Sequence, residues 1–342
     1  VKVKEKLWDF FLNRIMMPQM EKRMYPERSL VARPDAIFAT AQSPVRFGFL
    51  PGAFDLEYIQ RLMKRQPGST SILHLMVRRM RNSIRSISVM HSIMHNIQYS
   101  HSSLDRNPES PKARVDDKFL GELESYAKTL GIGAIGYTKL PRNLIFRELA
   151  VLYDNAIVLT MEMNAKKIAR APSQETESMI FETYDSLGIA SNRLADFLRE
   201  RGYAAQASHP LGGPVLYPPL AELASLGWHG IHGLLITPEF GSRVRLTAIY
   251  VDIENLPTDT ENRHAWIQEF CSTCGLCVDN CPPNAIFSEP IIHESGLLTH
   301  VDVEKCIPYF AEYYGCTICI KVCPFSKEKF EQIKKRFYQG RS

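Results

Sequence analysis

Every one of the eight cysteines in this 342-residue chain lies between positions 271 and 323. The first run reads Cys271-x2-Cys274-x2-Cys277-x3-Cys281-Pro282, and the second Cys306-x9-Cys316-x2-Cys319-x3-Cys323-Pro324. Short x2 spacings let one tight loop aim successive thiolates at a single centre, and x3 followed by proline starts the return path. The run C-x2-C-x2-C-x3-C-P is a ligation pattern of 4Fe-4S clusters, and in two-cluster proteins the fourth cysteine of each run serves the other cluster. The pattern therefore assigns Cys271, Cys274, Cys277 and Cys323 to cluster one. It assigns Cys281, Cys306, Cys316 and Cys319 to cluster two, with Cys306 reached through a longer loop. Eight thiolates then fill two clusters with none left over. Two zinc sites are the first alternative, but these usually use separate C-x2-C pairs without a trailing proline. Four disulfides are the second, and these belong to oxidising compartments and small scaffolds. A module that only packs is the third.

The remaining composition narrows the function classes. A formal net charge of +4 is too weak to point to nucleic acid, and 45% hydrophobic residues is ordinary for a soluble globular chain. No apolar run reaches the length of a membrane span. The opening Val1-Lys2-Val3-Lys4-Glu5 lacks a hydrophobic signal region. The expected compartment is the cytoplasm, with a processed export leader left open. The twin arginine Arg78-Arg79 sits mid-chain, and with Arg81 and Arg85 it reads as a solvated helix face, with a cofactor-phosphate contact as the alternative. His91 and His95 stand at i, i+4, a spacing that can hold a metal. Without an acidic third ligand nearby they and His101 read as ordinary surface or hydrogen-bonded histidines.

The chain divides into a helical segment over 1–110, a mixed core over 111–261 and a cysteine module over 262–342. Ser102–Lys112 is rich in serine, proline and charge and reads as a linker or long loop. Phe119, Leu120, Leu123, Tyr126, Ala127 and Leu130 recur at helical spacing, with Gly131 as the stop. Ile132–Tyr137 reads as a strand. Asn155–Met163 is apolar on both faces and reads as a central strand. A long helix spans Glu182–Arg201 and ends at Gly202. Tyr203–Gln206 follows as a short strand, Ala221–Leu226 as a helix stopped by Gly227, and Leu234–Thr237 and Val244–Val251 as strands. Such alternation predicts a layered α+β or α/β core.

Between the long helix and the last strand the chain is rich in glycine: Gly212, Gly213, Gly227, Gly230, Gly233 and Gly241. Glycines let a backbone approach a large flat ligand, although turns alone also use them. The stretch LGWHGIHGLLITPEFGSRVRL, followed by CSTCGLCVDNCPPNAI and by KCIPYF and GCTICIKVCPFSK, resembles the cobalamin-dependent iron–sulfur reductase superfamily. Its two branches are the reductive dehalogenases and the epoxyqueuosine reductases. The resemblance runs from about Asp117 to Lys327. LLITPEFGSRVRL looks like the dehalogenase signature. LGWHG looks more like the epoxyqueuosine branch, but the G-R-D-Y-H segment that supplies that branch's catalytic aspartate is missing. The chain is thus closer to the reductive dehalogenases.

The resemblance implies an α+β fold, with a nitroreductase-like cobalamin-binding core and a C-terminal two-cluster ferredoxin-like domain. It implies two 4Fe-4S clusters and cobalamin, the clusters passing single electrons to cobalt, with no protein side chain on the lower cobalt face. The implied reaction is reductive cleavage of a carbon–halogen or other carbon–heteroatom bond, fed by an external donor such as ferredoxin or flavodoxin. Tyr184 is then the candidate proton donor and Arg243 its cationic partner. A phenol is a poor acid near neutral pH unless a cation favours its ionised form. His229, Gly230, His232, Gly233, Thr237 and Gly241 are the candidate cofactor contacts, and Trp228 a candidate pocket wall. The histidines read as hydrogen bonders rather than cobalt ligands. Two other readings are an epoxyqueuosine reductase acting on tRNA and a corrinoid-binding electron-transfer protein without turnover.

Overall fold

The computed structural model describes residues 23, 25–43, 84–259 and 261–340. Arg78, Arg79 and Arg81 lie outside the described residues, as does the side chain of Arg85. The strands relevant here are β1 (Ile37–Phe38), β2 (Ala134–Lys139), β3 (Ala150–Val151), β4 (Asn155–Glu162), β5 (Ala205–Ala207), β6 (Trp228–His229), β7 (Leu235–Ile236), β8 (Val244–Val251), β9 (Ile286–Ile292) and β10 (Leu298–Val301). The main helices are α1 (Ile84–Ser102), α2 (Asp117–Thr129), α3 (Gln174–Glu200), α4 (Tyr217–Leu223), α5 (Trp266–Cys274), α6 (Val303–Glu312), α7 (Ile318–Val322) and α8 (Phe330–Gln339).

A four-stranded antiparallel sheet of order β2-β4-β8-β5 is the frame of the core. β4 is central because its apolar residues serve both faces. Ala156 and Val158 join Ala248 and Tyr250 of β8 in one buried layer. Ile157, Leu159 and Met161 join Ile249 and Val251 in the other. The second layer is closed by α2 and α3, through Leu123 and Ala127 and through Leu187, Leu194 and Leu198. The first is closed by α4 and by Ile93 and Ile97 of α1. The described part of the leading segment is therefore built into the core, and β1 also pairs with β3. His91 and His95 are both exposed on α1.

Several boundaries differ from the sequence reading for local reasons. α3 starts at Gln174, because the Ser173 hydroxyl accepts the Thr176 N–H and Glu175 and Glu177 occupy the first turn. α4 starts at Tyr217, with Pro218 and Pro219 in its opening turn, and ends at Leu223, before Gly227. Gly227 answers a packing demand instead, since a Cβ there would lie 2.1 Å from the Ile236 carbonyl oxygen. β2 runs two residues later than expected and β5 covers Ala205–Ala207, while β8 begins and ends where its alternation placed it.

One polar network pins α1 to α3 beneath this sheet. Asp196 accepts from Tyr99 at 2.6 Å, from Arg106 at 2.7 Å and from Arg199 at 2.8 Å. The Arg199 side chain is only 4% exposed and also donates to the Ala205 carbonyl at 2.8 Å. Removing one partner of a buried pair leaves an uncompensated charge. Asp196→Ala should destabilise the chain by roughly 3 kcal/mol. Glu175→Ala, which breaks a solvated pair with Arg170, should cost under about 1 kcal/mol. Urea unfolding of the two variants checks this, and equal losses would contradict it.

Candidate redox site

The cysteine module is assembled from short helices joined by tight turns. Cys271 and Cys274 lie on α5. Gly275, at φ +59°, then reverses the chain into a one-turn helix carrying Cys277. The β9–β10 hairpin separates Cys281 from Cys306 on α6. Cys316 and Thr317 both adopt positive φ, a tight bend that delivers Cys319 on α7 and then Cys323.

The thiols gather into two sets that cross between the sequence runs. Cys271, Cys274, Cys277 and Cys323 ring one small void, together with Ile231, His232, Phe270 and Phe325. Cys281, Cys306, Cys316 and Cys319 lie together in the wall of a much larger cleft. Burial pushes the Cys271 thiol up to about 12, and the neighbouring Cys323, Cys277 and Cys274 push it the same way. Burial likewise raises Cys306 to about 12, with Cys316 and Cys281 adding to it. Burial also raises the half-buried Cys319, with Cys316, Cys306 and Cys277 of the first set pushing it the same way. Thiols so placed hold their protons until a metal displaces them. Among the described residues no three His, Cys, Asp or Glu close around a single ion. A four-iron cube, with one thiolate per iron, holds its ligands farther apart.

The large cleft encloses about 1480 Å³ of atom-free space, part of it open to solvent. Ile180 and Phe181 of α3, Leu211, Leu234, Ile307 and Phe310 make most of its lining apolar. Among its polar side chains are Glu177, Tyr184, His232, Arg245 and Tyr309. The Arg245 guanidinium carbon stands 4.6 Å from the centre of the Tyr184 ring. Arg245 Nε is buried there without a protein partner.

Arg243 is placed elsewhere. It pairs with Glu162 and donates to the Met163 carbonyl at 3.1 Å and the Ser326 carbonyl at 3.2 Å. These bonds stitch the end of the sheet to the loop after Cys323, and Arg243 is not part of the cleft wall. The sequence reading named Arg243 and not Arg245. The available signal was the strand period of two, which puts residues 243 and 245 on one face.

The other candidates divide similarly. His232 lines the cleft. His229 contacts the Glu222 carboxylate through Nδ1 and faces a separate hollow shared with His300. Gly230 accommodates the His232 ring, Gly233 packs on His300, and a Cβ on Gly241 would lie 1.9 Å from the Phe325 carbonyl oxygen. Gly233 and Gly241 let the loop meet the cysteine module, while Gly230 makes room within the loop itself. Thr237 is fully buried, bridges to Gly241 and accepts the Phe240 N–H at 3.1 Å. Trp228 packs beside Cys271, Cys323 and Trp266 rather than on the cleft.

Comparison with known proteins agrees with this geometry. Residues 270–327 match the 4Fe-4S dicluster domain family. The chain is 32% identical over 188 residues to a tetrachloroethene reductive dehalogenase of Desulfitobacterium hafniense, a match covering 51% of this chain and 33% of the relative. It is 35% identical over 123 residues to an epoxyqueuosine reductase of Aliivibrio fischeri, covering 34% of this chain and 32% of the relative. The structure of the catabolic reductive dehalogenase NpRdhA in complex with 3-bromo-4-hydroxybenzoic acid aligns with a TM-score of 0.58 at 18% identity, over 70% of this chain and 38% of that one. The chain is closer to the reductive dehalogenases than to the epoxyqueuosine reductases. It shares their α+β fold and carries a C-terminal 4Fe-4S dicluster, ferredoxin-like domain. The matches span about a third of the length of the curated relatives. No helix among the described residues is long and apolar enough to cross a membrane.

The crossed sets yield a specific expectation. Cys281→Ala, though it alters the first run, should abolish the cluster held by Cys306, Cys316 and Cys319. Cys323→Ala should abolish the other. Iron should fall from about eight to about four per chain in either variant. The two remaining clusters should give different electron paramagnetic resonance spectra. Identical residual spectra would contradict the assignment.

Proposed function

We propose that the chain is a cobalamin-dependent iron–sulfur reductase of the reductive dehalogenase type. It replaces a carbon–halogen bond with a carbon–hydrogen bond, consuming two electrons and one proton and releasing halide. The observation that carries this reading is the shared wall of the large cleft, where the ligands of cluster two and the Tyr184–Arg245 pair meet.

The residues present suit a large, mostly apolar, amide-bearing macrocycle. Ile180, Phe181 and Leu234 offer apolar contact, while Arg245 Nε is a buried nitrogen without a protein partner. Bound there, cobalamin would supply a low-potential cobalt centre able to reduce the carbon–halogen bond. Held by Cys281, Cys306, Cys316 and Cys319 in the cleft wall, cluster two would supply single electrons to the cleft, and cluster one, held by Cys271, Cys274, Cys277 and Cys323, would take them from an external donor such as ferredoxin or flavodoxin. The Tyr184 phenol gives the proton to the carbon. The Arg245 cation against its ring stabilises the charge that develops on the phenol oxygen. Apolar walls exclude water from the reacting carbon. Arg243 acts structurally, and Gly230, Gly233, Gly241, Thr237 and His229 support the wall rather than form it. Buried cluster thiolates suit a reducing compartment, so the cytoplasm is the location proposed.

The similarity to epoxyqueuosine reductases supports a second reading, in which a tRNA base is reduced in the same cleft. The missing G-R-D-Y-H segment disfavours it. A corrinoid-binding carrier without turnover is the third. Halide release by the cofactor-loaded protein, compared with free cobalamin, separates them. With an accepted organohalide, Tyr184→Phe should slow halide release by about 100-fold or more, with iron and corrin contents unchanged. Arg245→Gln should slow it as well, whereas Arg243→Gln should lower thermal stability and spare the rate. A Tyr184→Phe protein at full rate would remove the proton-donor assignment.

A further inference from the structure

His232 occupies a position that no other described residue shares. It lines both the void ringed by Cys271, Cys274, Cys277 and Cys323 and the large cleft. Its residue is 4% exposed. The Leu234 N–H donates to His232 Nδ1 at 3.1 Å. Nδ1 is therefore an acceptor, and the neutral ring carries its proton on Nε2. Nε2 is buried and has no protein partner. A buried donor of this kind is costly to leave unpaired.

The loop around His232 already attends to cluster one. Ile231 lines the same void as Cys271. The Ile231 carbonyl is held by the His300 Nδ1–H at 3.1 Å. Gly230 leaves room for the ring, since a Cβ there would come within 2.9 Å of His232 Cε1.

We propose that His232 Nε2–H donates a hydrogen bond to a sulfur of cluster one and raises that cluster's reduction potential. Reduction adds negative charge to the cluster, and an N–H aimed at sulfur stabilises it. His232 is thus a positioning and tuning residue. The proposal rests on the cluster part of the reading above and on neither the corrin nor the organohalide.

The test uses the full chain, reconstituted with iron and sulfide and without corrin, titrated electrochemically and followed by electron paramagnetic resonance. His232→Leu should move one of the two cluster couples to more negative potential and leave the other in place. His232→Gln, which keeps an N–H donor, should recover most of that shift. In wild-type protein labelled with 15N-histidine, pulsed spectra of the reduced state should show a histidine nitrogen coupled to one cluster. That coupling decides the matter if the leucine variant fails to hold iron. Unmoved couples at full iron content, or no 15N coupling, would overturn the proposal. Unmoved couples with weakened corrin retention would also overturn it and assign His232 to the ligand of the cleft. A protein that tunes cluster one yet dehalogenates nothing would sink the dehalogenase reading alone.

Discussion

Cys281 and Cys323 are exchanged between the two cysteine runs, and the rest of the arrangement hangs on that exchange. Each run completes the other's set, so neither half of the cysteine module closes its ring alone. The effect is covalent in kind once iron is bound, and stronger than any single packing contact. It draws the Cys271–Cys281 and Cys306–Cys323 segments into one body. The Trp266, Phe270, Phe325 and Phe330 rings then pack beside cluster one. Metal binding and folding of this half are in that sense one event.

The sheet contributes a different constraint. With β4 and β8 buried on both faces, the core cannot shift register without exposing an apolar layer. This rigidity fixes Arg245 near the start of β8 and Tyr184 in the middle of α3. Cluster two comes to the same wall from the other half of the chain. The glycine-rich loop lies between these bodies, and its small residues are used where its backbone presses on the cysteine half. Gly241 against the Phe325 carbonyl is the tightest of these contacts at the loop. The second cysteine set and the Tyr184–Arg245 pair thus come from separate elements that meet at one cleft.

Much of this was legible in the residues. The cysteine spacing carries the crossed sets, because ligand geometry ties spacing directly to position. β8 was legible to the residue, since Val244, Leu246, Ala248 and Tyr250 alternate without interruption. The start of α3 was harder, because its first turns are polar and only the Ser173 cap marks them. The choice between Arg243 and Arg245 was not legible. Both lie on one face of the strand, and only the tertiary placement of Glu162 and Ser326 claims the first and frees the second. The glycines are ambiguous for a related reason. A glycine shows that something comes close, without showing whether that is a ligand or a neighbouring backbone.

The central claim is that cluster thiolates and a corrin site share one chain and one cleft. The most direct measurement is metal analysis with an ultraviolet–visible spectrum, on full-length chain purified without oxygen and offered cobalamin. The account predicts about eight iron and about one cobalt per chain, with corrin bands that persist through gel filtration. Zinc in place of iron, or corrin that elutes free from an iron-loaded chain, would contradict it.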